Sequence, residues 1–224
     1  MVLPTLNEEQ TIGKLIDLVE KSYKGIKIRV MDDGSEDKTQ EIVKLKMKNY
    51  TNIELVNRKK LGRKKGLTAS IIDGILGAKT EYVIVIDADL QHPIYLIRKI
   101  AKEMEKEDIV VGYRKKVTEW AFHRKVVSFV FQICGKLVLF IRRGAYCKDI
   151  MSGAFGIRKD FFAKIYEKNK EKFVLEGYKV LFDILKCMER KKVKDVPYVF
   201  ESRKGGRSKA GYRQAICLIK SFLN

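Results

Sequence analysis

Residues 82–93 read Tyr-Val-Ile-Val-Ile-Asp-Ala-Asp-Leu-Gln-His-Pro. The first five are apolar or aromatic without a break, which predicts a strand buried on both faces, as in the middle of a parallel sheet. Side chains two apart on an extended chain point the same way, so Asp87 and Asp89 are expected to project together beyond the strand's end. Two carboxylates followed by the amide oxygen of Gln91 suit a hard divalent cation shared with substrate phosphates. An acidic loop capping a helix that begins near Pro93 accounts for the same residues.

Strands and helices alternate on either side of this stretch. Upstream, residues 1–3 are short for a strand, and Pro4 to Glu9 read as strand end, turn and helix start. Ile12, Leu15, Ile16 and Val19 then follow helical spacing. A second strand over 26–31 runs into Asp32-Asp33-Gly34-Ser35, and a helix follows over 38–48. A third strand over 53–57 leads into the basic run Arg58-Lys59-Lys60-Leu61-Gly62-Arg63-Lys64-Lys65-Gly66 and a helix rich in small residues. Downstream, a helix to about Lys106 precedes a buried strand over 108–112 that ends at Tyr113 and Arg114. This alternation predicts an open α/β sheet, mixed but mostly parallel, flanked by helices. Ligands of such sheets sit beyond the carboxyl ends of the strands, where Asp32/Asp33, Asp87/Asp89 and Arg114 are all expected.

The second half is less regular. Residues 126–141 read as a helix, partly buried or lying against a membrane surface, and shorter than the roughly 20 apolar residues a span needs. A short strand and turn are expected over 150–157, helices over 160–168 and 177–190, and a strand over 193–200. Arg203-Lys-Gly-Gly-Arg-Ser-Lys209 is a basic loop, followed by an amphipathic helix to Asn224. The expected division is a catalytic domain over 1–210 and a C-terminal amphipathic helix over 211–224.

A length of 224 residues, 46% of them hydrophobic, suits one domain with a full core and excludes a disordered chain. Lys and Arg exceed Asp and Glu by 19, which points to anionic partners: nucleic acid, nucleotide phosphates or a membrane surface. The basic clusters sit in loops beside acidic strand ends, without interleaved stacking aromatics, which argues against nucleic acid. Cys134, Cys147, Cys187 and Cys217 are scattered and read as reduced thiols of a cytosolic protein. The chain opens into a polar turn with no signal-peptide pattern.

Asp32 and Asp33 are short acceptors suited to ribose hydroxyls or a nucleobase edge, or equally to a turn held by local side-chain bonds. Arg114 matches a diphosphate oxygen, or a salt bridge. Together, the acidic strand ends, one with metal-ligand spacing, and Arg114 describe a nucleotide-diphosphate site with a bridging cation.

The strings PTLNEE (4–9), MDDGSEDKT (31–39), the segment 61–74, DADLQHP (87–93), VVGYR (110–114), SGAFGIRKD (152–160) and ESRKGGRSK (201–209) occur in that order. In this the chain resembles an inverting family-two glycosyltransferase of the GT-A, Rossmann-like fold. More narrowly it is similar to the dolichol-phosphate mannose synthases and their polyprenyl-phosphate glucosyl- and aminosugar-transferring relatives. The resemblance implies that Pro4, Asn7, Glu8, Asp32, Asp87, Ala88, Asp89 and Arg114 bind the nucleotide sugar, and that Asp87, Asp89 and Gln91 surround Mg²⁺ or Mn²⁺. It implies that Arg124, Ser128, Arg203 and Lys209 hold the phosphate of the acceptor lipid. Asp89, Arg114, Arg203 and Lys209 are the implied catalytic residues, and Asp149 and Ser152 the floor of the sugar pocket. GDP-mannose is the donor first expected, with a UDP-sugar as the alternative.

The segment before Gly66 is more basic than the family pattern, and the Q-x-x-R-W string of processive polysaccharide synthases is absent. Many relatives continue into membrane helices, so this chain is expected on the cytoplasmic face of a membrane, bound peripherally or through a partner subunit. A lipid phosphate is already anionic and needs no general base. A sugar-hydroxyl acceptor needs one, for which Asp149 is the candidate. A nucleotidyltransferase would open with a glycine-rich basic loop in place of P-T-L-N-E-E, and an inactive subunit fits poorly with the acidic and basic strings together.

Overall fold

The computed structural model describes residues 1–117, 122–177, 179–202 and 212–223, apart from the side chains of 122–124, 212–215 and 218. Seven strands form one sheet: β1 Val2–Thr5, β2 Ile28–Asp32, β3 Ile53–Asn57, β4 Tyr82–Val85, β5 Ile109–Val117, β6 Phe155–Arg158 and β7 Lys194–Phe200. Their order is β3-β2-β1-β4-β6-β5-β7. Only β6 runs antiparallel to its neighbours, β4 and β5, so the remaining strands all leave the sheet at one end. The mixed, mostly parallel α/β sheet expected from the alternation is what forms.

The helices are α1 Ile12–Ser22, α2 Thr39–Asn49, α3 Leu67–Leu76, α4 Tyr95–Met104, α5 Phe122–Ile141, α6 Lys159–Lys168, α7 Val180–Cys187 and α8 Tyr212–Leu223, with a 3-10 turn at Lys170–Lys172. The central strand shows why they cover both faces. Val83 and Val85 belong to one core with Ile71, Ile75, Phe155 and Phe182, whereas Ile84 and Ile86 belong to another with Ile12, Ile16, Leu96 and Ile100. Each such buried side chain contributes roughly 1.5–3 kcal/mol, so a polar residue anywhere in 83–86 would be costly.

Three sequence expectations need correction here. Residues 2–5 do form a strand, and it lies inside the sheet with a proline in it. Met1 and Thr5 accept hydrogen bonds from Arg29 and Asp33 on the β2 side, while Val2 accepts from Ile86 on the β4 side. By alternation Pro4 faces β4, which pairs with β1 only at Val2↔Val85, so its missing N–H removes no ladder bond. Second, β4 stops at Val85, and Asp87 and Asp89 lie in the turn beyond it rather than on extended chain. Third, β5 continues to Val117 because β7 pairs along it as far as Phe200, so Arg114 lies within a strand and not after one.

The 20-residue helix α5 buries Leu139 and leaves Phe129, Val130, Ile133, Leu137, Phe140 and Ile141 exposed. Its neighbour α8 docks through Phe222, which meets Phe131 and Phe182 edge-on at 6.4 and 4.9 Å. The Arg142 guanidinium donates to the Leu223 carbonyl at 2.6 Å. Among the described residues no helix is long and apolar enough to cross a membrane. The boundary expected at 210/211 lies outside the described residues.

Candidate active site

Strands β2, β1 and β4 are adjacent and parallel, so the turns after β2 and β4 leave the same edge, about 10 Å apart at two strand spacings. At the end of β2, Asp32 is wholly buried and its carboxylate accepts from Gly34 N, Ser35 N, Ser35 Oγ and Gln40 Nε2 at 2.5–3.1 Å. The turn reading given beside the ribose reading describes this geometry. Asn7, at a positive φ of 50°, accepts from Glu36 N through Oδ1, and its own N–H donates to Ser35 Oγ. Glu8 donates its N–H to Thr39 Oγ1 and accepts from Thr11 Oγ1. Pro4 is buried within β1. These residues stitch the first two strand ends together.

Asp33 reveals a residue that sequence reasoning absorbed into the basic run. Arg58 is 1% exposed and pairs with Asp33 through Nη1, with Asp73 at 3.0 Å, and with the Lys64 carbonyl at 2.8 Å. The other Asp33 oxygen accepts from Gly66 N at 2.7 Å. Gly66 has φ of 151°, and a Cβ there would lie 2.8 Å from Glu176 Cα. Arg58 therefore folds the basic loop back onto the β2 turn, and Gly66 lets that loop press against residues 175–176. The partners lie 25 and 15 residues away, so local pattern gave no signal.

At the end of β4 the chain turns through Ala88 and Asp89 to Leu90, which has φ of 60°. Asp89 is 5% exposed and accepts from Gln91 N at 3.1 Å. The Gln91 amide donates to the Glu201 carbonyl, and Glu201 N–H donates back to Gln91 O, both at 3.0 Å, which ties this turn to the end of β7. The Asp87 side chain is 34% exposed and meets His92 Nε2 at 3.3 Å. His92 is itself buried, packed against Tyr198 and Phe200 at 5.3 and 5.4 Å, with Nδ1 unpartnered among the described residues. A carboxylate oxygen accepts, so Nε2 is the donor to Asp87. Gly153 lies against the same carboxylate, where a Cβ would come within 2.9 Å of Asp87 Cγ. His92 thus packs in the core, and its contact with Asp87 makes it an orienting group as well.

Arg114 adopts the salt-bridge alternative. Its Nε and Nη2 donate to the two Asp149 oxygens at 2.6 and 2.8 Å, with side chains 11% and 7% exposed. Gln132 and Met151 N also donate to Asp149. Burial pushes the Asp149 carboxyl up, but the Arg114 bonds and charge outweigh it and hold the group below its usual range. Electrostatic contact with Asp87 further stabilises the Arg114 cation. Ser152 is buried and bonds to Ala154 in its own turn. Ser128 is half-buried on α5. The Arg124 side chain, Arg203 and Lys209 lie outside the described residues.

The fold thus gathers Asp32, Asp33, Asp87, Asp89 and Gln91 at one edge, with Arg114 and Asp149 beside Asp87. Among the described residues no three His, Cys, Asp or Glu side chains cluster as a metal site. A donor set of two carboxylates and an amide oxygen still suits a hard cation that draws its remaining ligands from substrate and water. The partly exposed Asp87 carboxylate, left accessible by Gly153, fits that use.

Comparison with known proteins agrees with this architecture. In sequence the chain is 32% identical over 216 residues to a dolichol-phosphate mannosyltransferase of Pyrococcus furiosus, covering 93% of this chain and 58% of that protein. It is 24% identical over 224 residues to the Saccharomyces cerevisiae dolichol-phosphate mannosyltransferase, covering 93% and 79%. The chain spans little more than half the length of the Pyrococcus relative. In fold it is similar to glucosyl-3-phosphoglycerate synthase of Mycobacterium tuberculosis, solved with Mn²⁺, UDP-glucose and glycerol 3-phosphate. That structure has a TM-score of 0.64 at 18% identity, over 97% of this chain and 75% of that one. The phosphoglyceric acid complex of the same enzyme gives 0.66 at 17% identity, over 99% and 77%. The profile described as Glycosyl transferase family 2 matches residues 1–166, the part that carries β1 to β6 and every acidic strand end, and the chain belongs to that family.

Proposed function

We propose that this chain transfers a hexosyl group, mannose from GDP-mannose first among the candidates, to a dolichyl or polyprenyl phosphate with inversion. The observation that carries the choice of acceptor is the state of Asp149. The carboxylate nominated as general base for a hydroxyl acceptor is buried, bonded through both oxygens to Arg114 and held deprotonated as an ion-pair partner. A base needs an oxygen facing the proton it takes. A lipid phosphate needs none, and the names of the two mannosyltransferase relatives support that class.

On this reading Asp87, Asp89 and Gln91 hold Mg²⁺ or Mn²⁺, and His92 keeps Asp87 turned toward it. When bound, the cation would offset charge on the leaving diphosphate. Pro4, Asn7, Glu8, Asp32 and Ala88 shape the nucleotide side, with Arg114 at the sugar-diphosphate side. Arg124, Ser128, Arg203 and Lys209 hold the incoming phosphate in line, so catalysis is positioning and charge. In-line attack from one face turns an α-linked donor into a β-linked lipid phosphate. The exposed apolar residues of α5 and the surplus of 19 positive charges support peripheral binding to the cytoplasmic face of a membrane, alone or with a membrane subunit. A UDP-sugar donor is the second reading, favoured by the UDP-glucose complex of the structural neighbour.

The test is transfer from radiolabelled GDP- and UDP-sugars to short polyprenyl and dolichyl phosphates, with Mg²⁺ or Mn²⁺ and then with EDTA. Label should enter the lipid phase from one donor, stop with EDTA and be lost in Asp89→Ala. Folded protein that labels no lipid from any donor would sink the reading, and recovery of an α-linked product would overturn inversion.

A further inference from the structure

On the outer flank of the sheet, the end of α5, the turn over 144–148 and the entry of β7 enclose a cavity of about 440 Å³. Small-ligand sites commonly run from about 300 to 1,000 Å³. Its wall carries Lys136, Lys148, Arg190 and Lys192 against a single acid, Asp195. None of these cations forms a salt bridge among the described residues. Asp195 offsets one of the four charges: its oxygens accept from the Lys148 backbone N–H at 3.0 and 3.2 Å, and it interacts electrostatically with Lys148 and Lys192, which leaves the wall with a surplus of positive charge. Two cations rest on ring faces, Arg190 over Phe140 at 4.9 Å and Lys148 over Tyr113 at 4.6 Å. Ring contacts place a cation without cancelling its charge.

Concentrated positive charge in a recess calls for an anion with several acceptor oxygens, as in a phosphate. The rim adds a second requirement. Leu137, Phe140 and Ile141 on α5 are 57%, 64% and 70% exposed and continue from the cavity along one helix. A ligand matching both is anionic at its head and apolar behind it. We propose that the cavity binds the phosphate headgroup of an anionic membrane lipid, its acyl chains lying along Leu137, Phe140 and Ile141. This lipid is a docking ligand and not the acceptor. Lys192 and Asp195 stand where β7 enters the sheet, whereas Asp32 and Asp87 lie where β2 and β4 leave it. No cavity residue belongs to the donor or acceptor set.

The experiment is vesicle co-sedimentation with phosphatidylglycerol in phosphatidylcholine, against phosphatidylcholine alone, near physiological salt. Three proteins are compared: wild type, the cavity triple Lys136→Glu/Arg190→Glu/Lys192→Glu, and a control triple Lys14→Glu/Lys44→Glu/Lys48→Glu with the same change in net charge. Circular dichroism and a thermal melt establish folding of each. Wild type should bind the anionic vesicles, the cavity triple should lose on the order of tenfold or more in partition, and the control should keep most of it. Equal losses in both triples, or no loss in the cavity triple, would overturn the site. Soluble glycerol phosphate that raises the melting temperature of wild type but not of the cavity triple, with vesicle binding unchanged, would reassign the cavity to a free phosphate. Sugar transfer to a short-chain prenyl phosphate in detergent is measured on the same proteins. The cavity triple should retain it, and its absence from wild type counts against the proposed reaction and leaves the vesicle result standing.

Discussion

Replacing Asp149 by Asn should expose how much the fold depends on the Arg114 pair. The substitution keeps size and removes charge, leaving a guanidinium that is 11% exposed between Tyr198, Phe200 and Asp87. Removing one partner of a buried, bidentate pair costs about 3–5 kcal/mol. For a chain of this size, about 3 kcal/mol corresponds to a fall of roughly 6–12 °C in melting temperature. The pH dependence separates this pair from generic destabilisation. Asp149 has a folded pKa below its unfolded one, so its contribution is present above the ordinary carboxylate value, about 3.9, and drains away as pH falls through the lower folded value. Wild type and Asp149→Asn should therefore differ fully at pH 7 and converge in strong acid, where protonated Asp149 resembles Asn. Urea unfolding across that range reads the difference, and adding Arg114→Met to Asp149→Asn should recover part of the loss. A difference below about 1 kcal/mol, or one unchanged from pH 7 to strong acid, would refute the argument.

Arg58→Met should cost a similar 3–5 kcal/mol in urea unfolding, because Asp33 and Asp73 lose a buried cation; Arg58→Lys should rescue little, since an ammonium lacks the planar fork that serves two carboxylates and a carbonyl. Gly153→Ala places a methyl against the Asp87 carboxylate and should raise the Mn²⁺ concentration for half-maximal transfer by about 10–100-fold, with a much smaller change in thermal midpoint. His92→Phe keeps the contacts with Tyr198 and Phe200 and loses the bond to Asp87. It should shift the metal dependence by about tenfold, and an unchanged metal titration would return His92 to packing alone.

What the sequence disclosed follows the range of the forces involved. The run from Tyr82 to Ile86 announced a central strand because burial on both faces dictates composition residue by residue, and α1 announced its buried face through 3.6-residue spacing. The strand at Val2–Thr5 did not, because a proline inside a sheet is tolerable only where a neighbouring strand has ended, and that neighbour, paired through Val2↔Val85, is 83 residues away. Alternation placed Asp87 and Asp89 on one side of an extended chain, but the strand stops at Val85 and Leu90 turns the backbone through a left-handed conformation. Arg114 looked like a strand-end residue because only pairing with β7 extends β5 past it. Arg58 was hidden among lysines because its partners are distant in sequence.

The ion pairs also constrain which groups are left to meet a substrate. At the end of β2, Asp33 is matched by Arg58 and Asp32 is spent on its own turn. Beside β5, Arg114 is matched by Asp149. Charges matched inside the protein position backbone and loops, and seen from a distance each pair contributes only a dipole and not a full charge. In a chain with a surplus of 19 positive charges, the partly exposed Asp87 carries negative charge to solvent beside Gly153. A diphosphate could not approach that carboxylate without a cation between them, since two anions in contact repel by several kcal/mol. On the proposed reading, metal dependence therefore extends to donor binding itself. It follows that EDTA should weaken binding of the unreactive nucleoside diphosphate in equilibrium dialysis, as well as stopping transfer. Binding of the diphosphate that is indifferent to EDTA would mean that Asp87 does not face it.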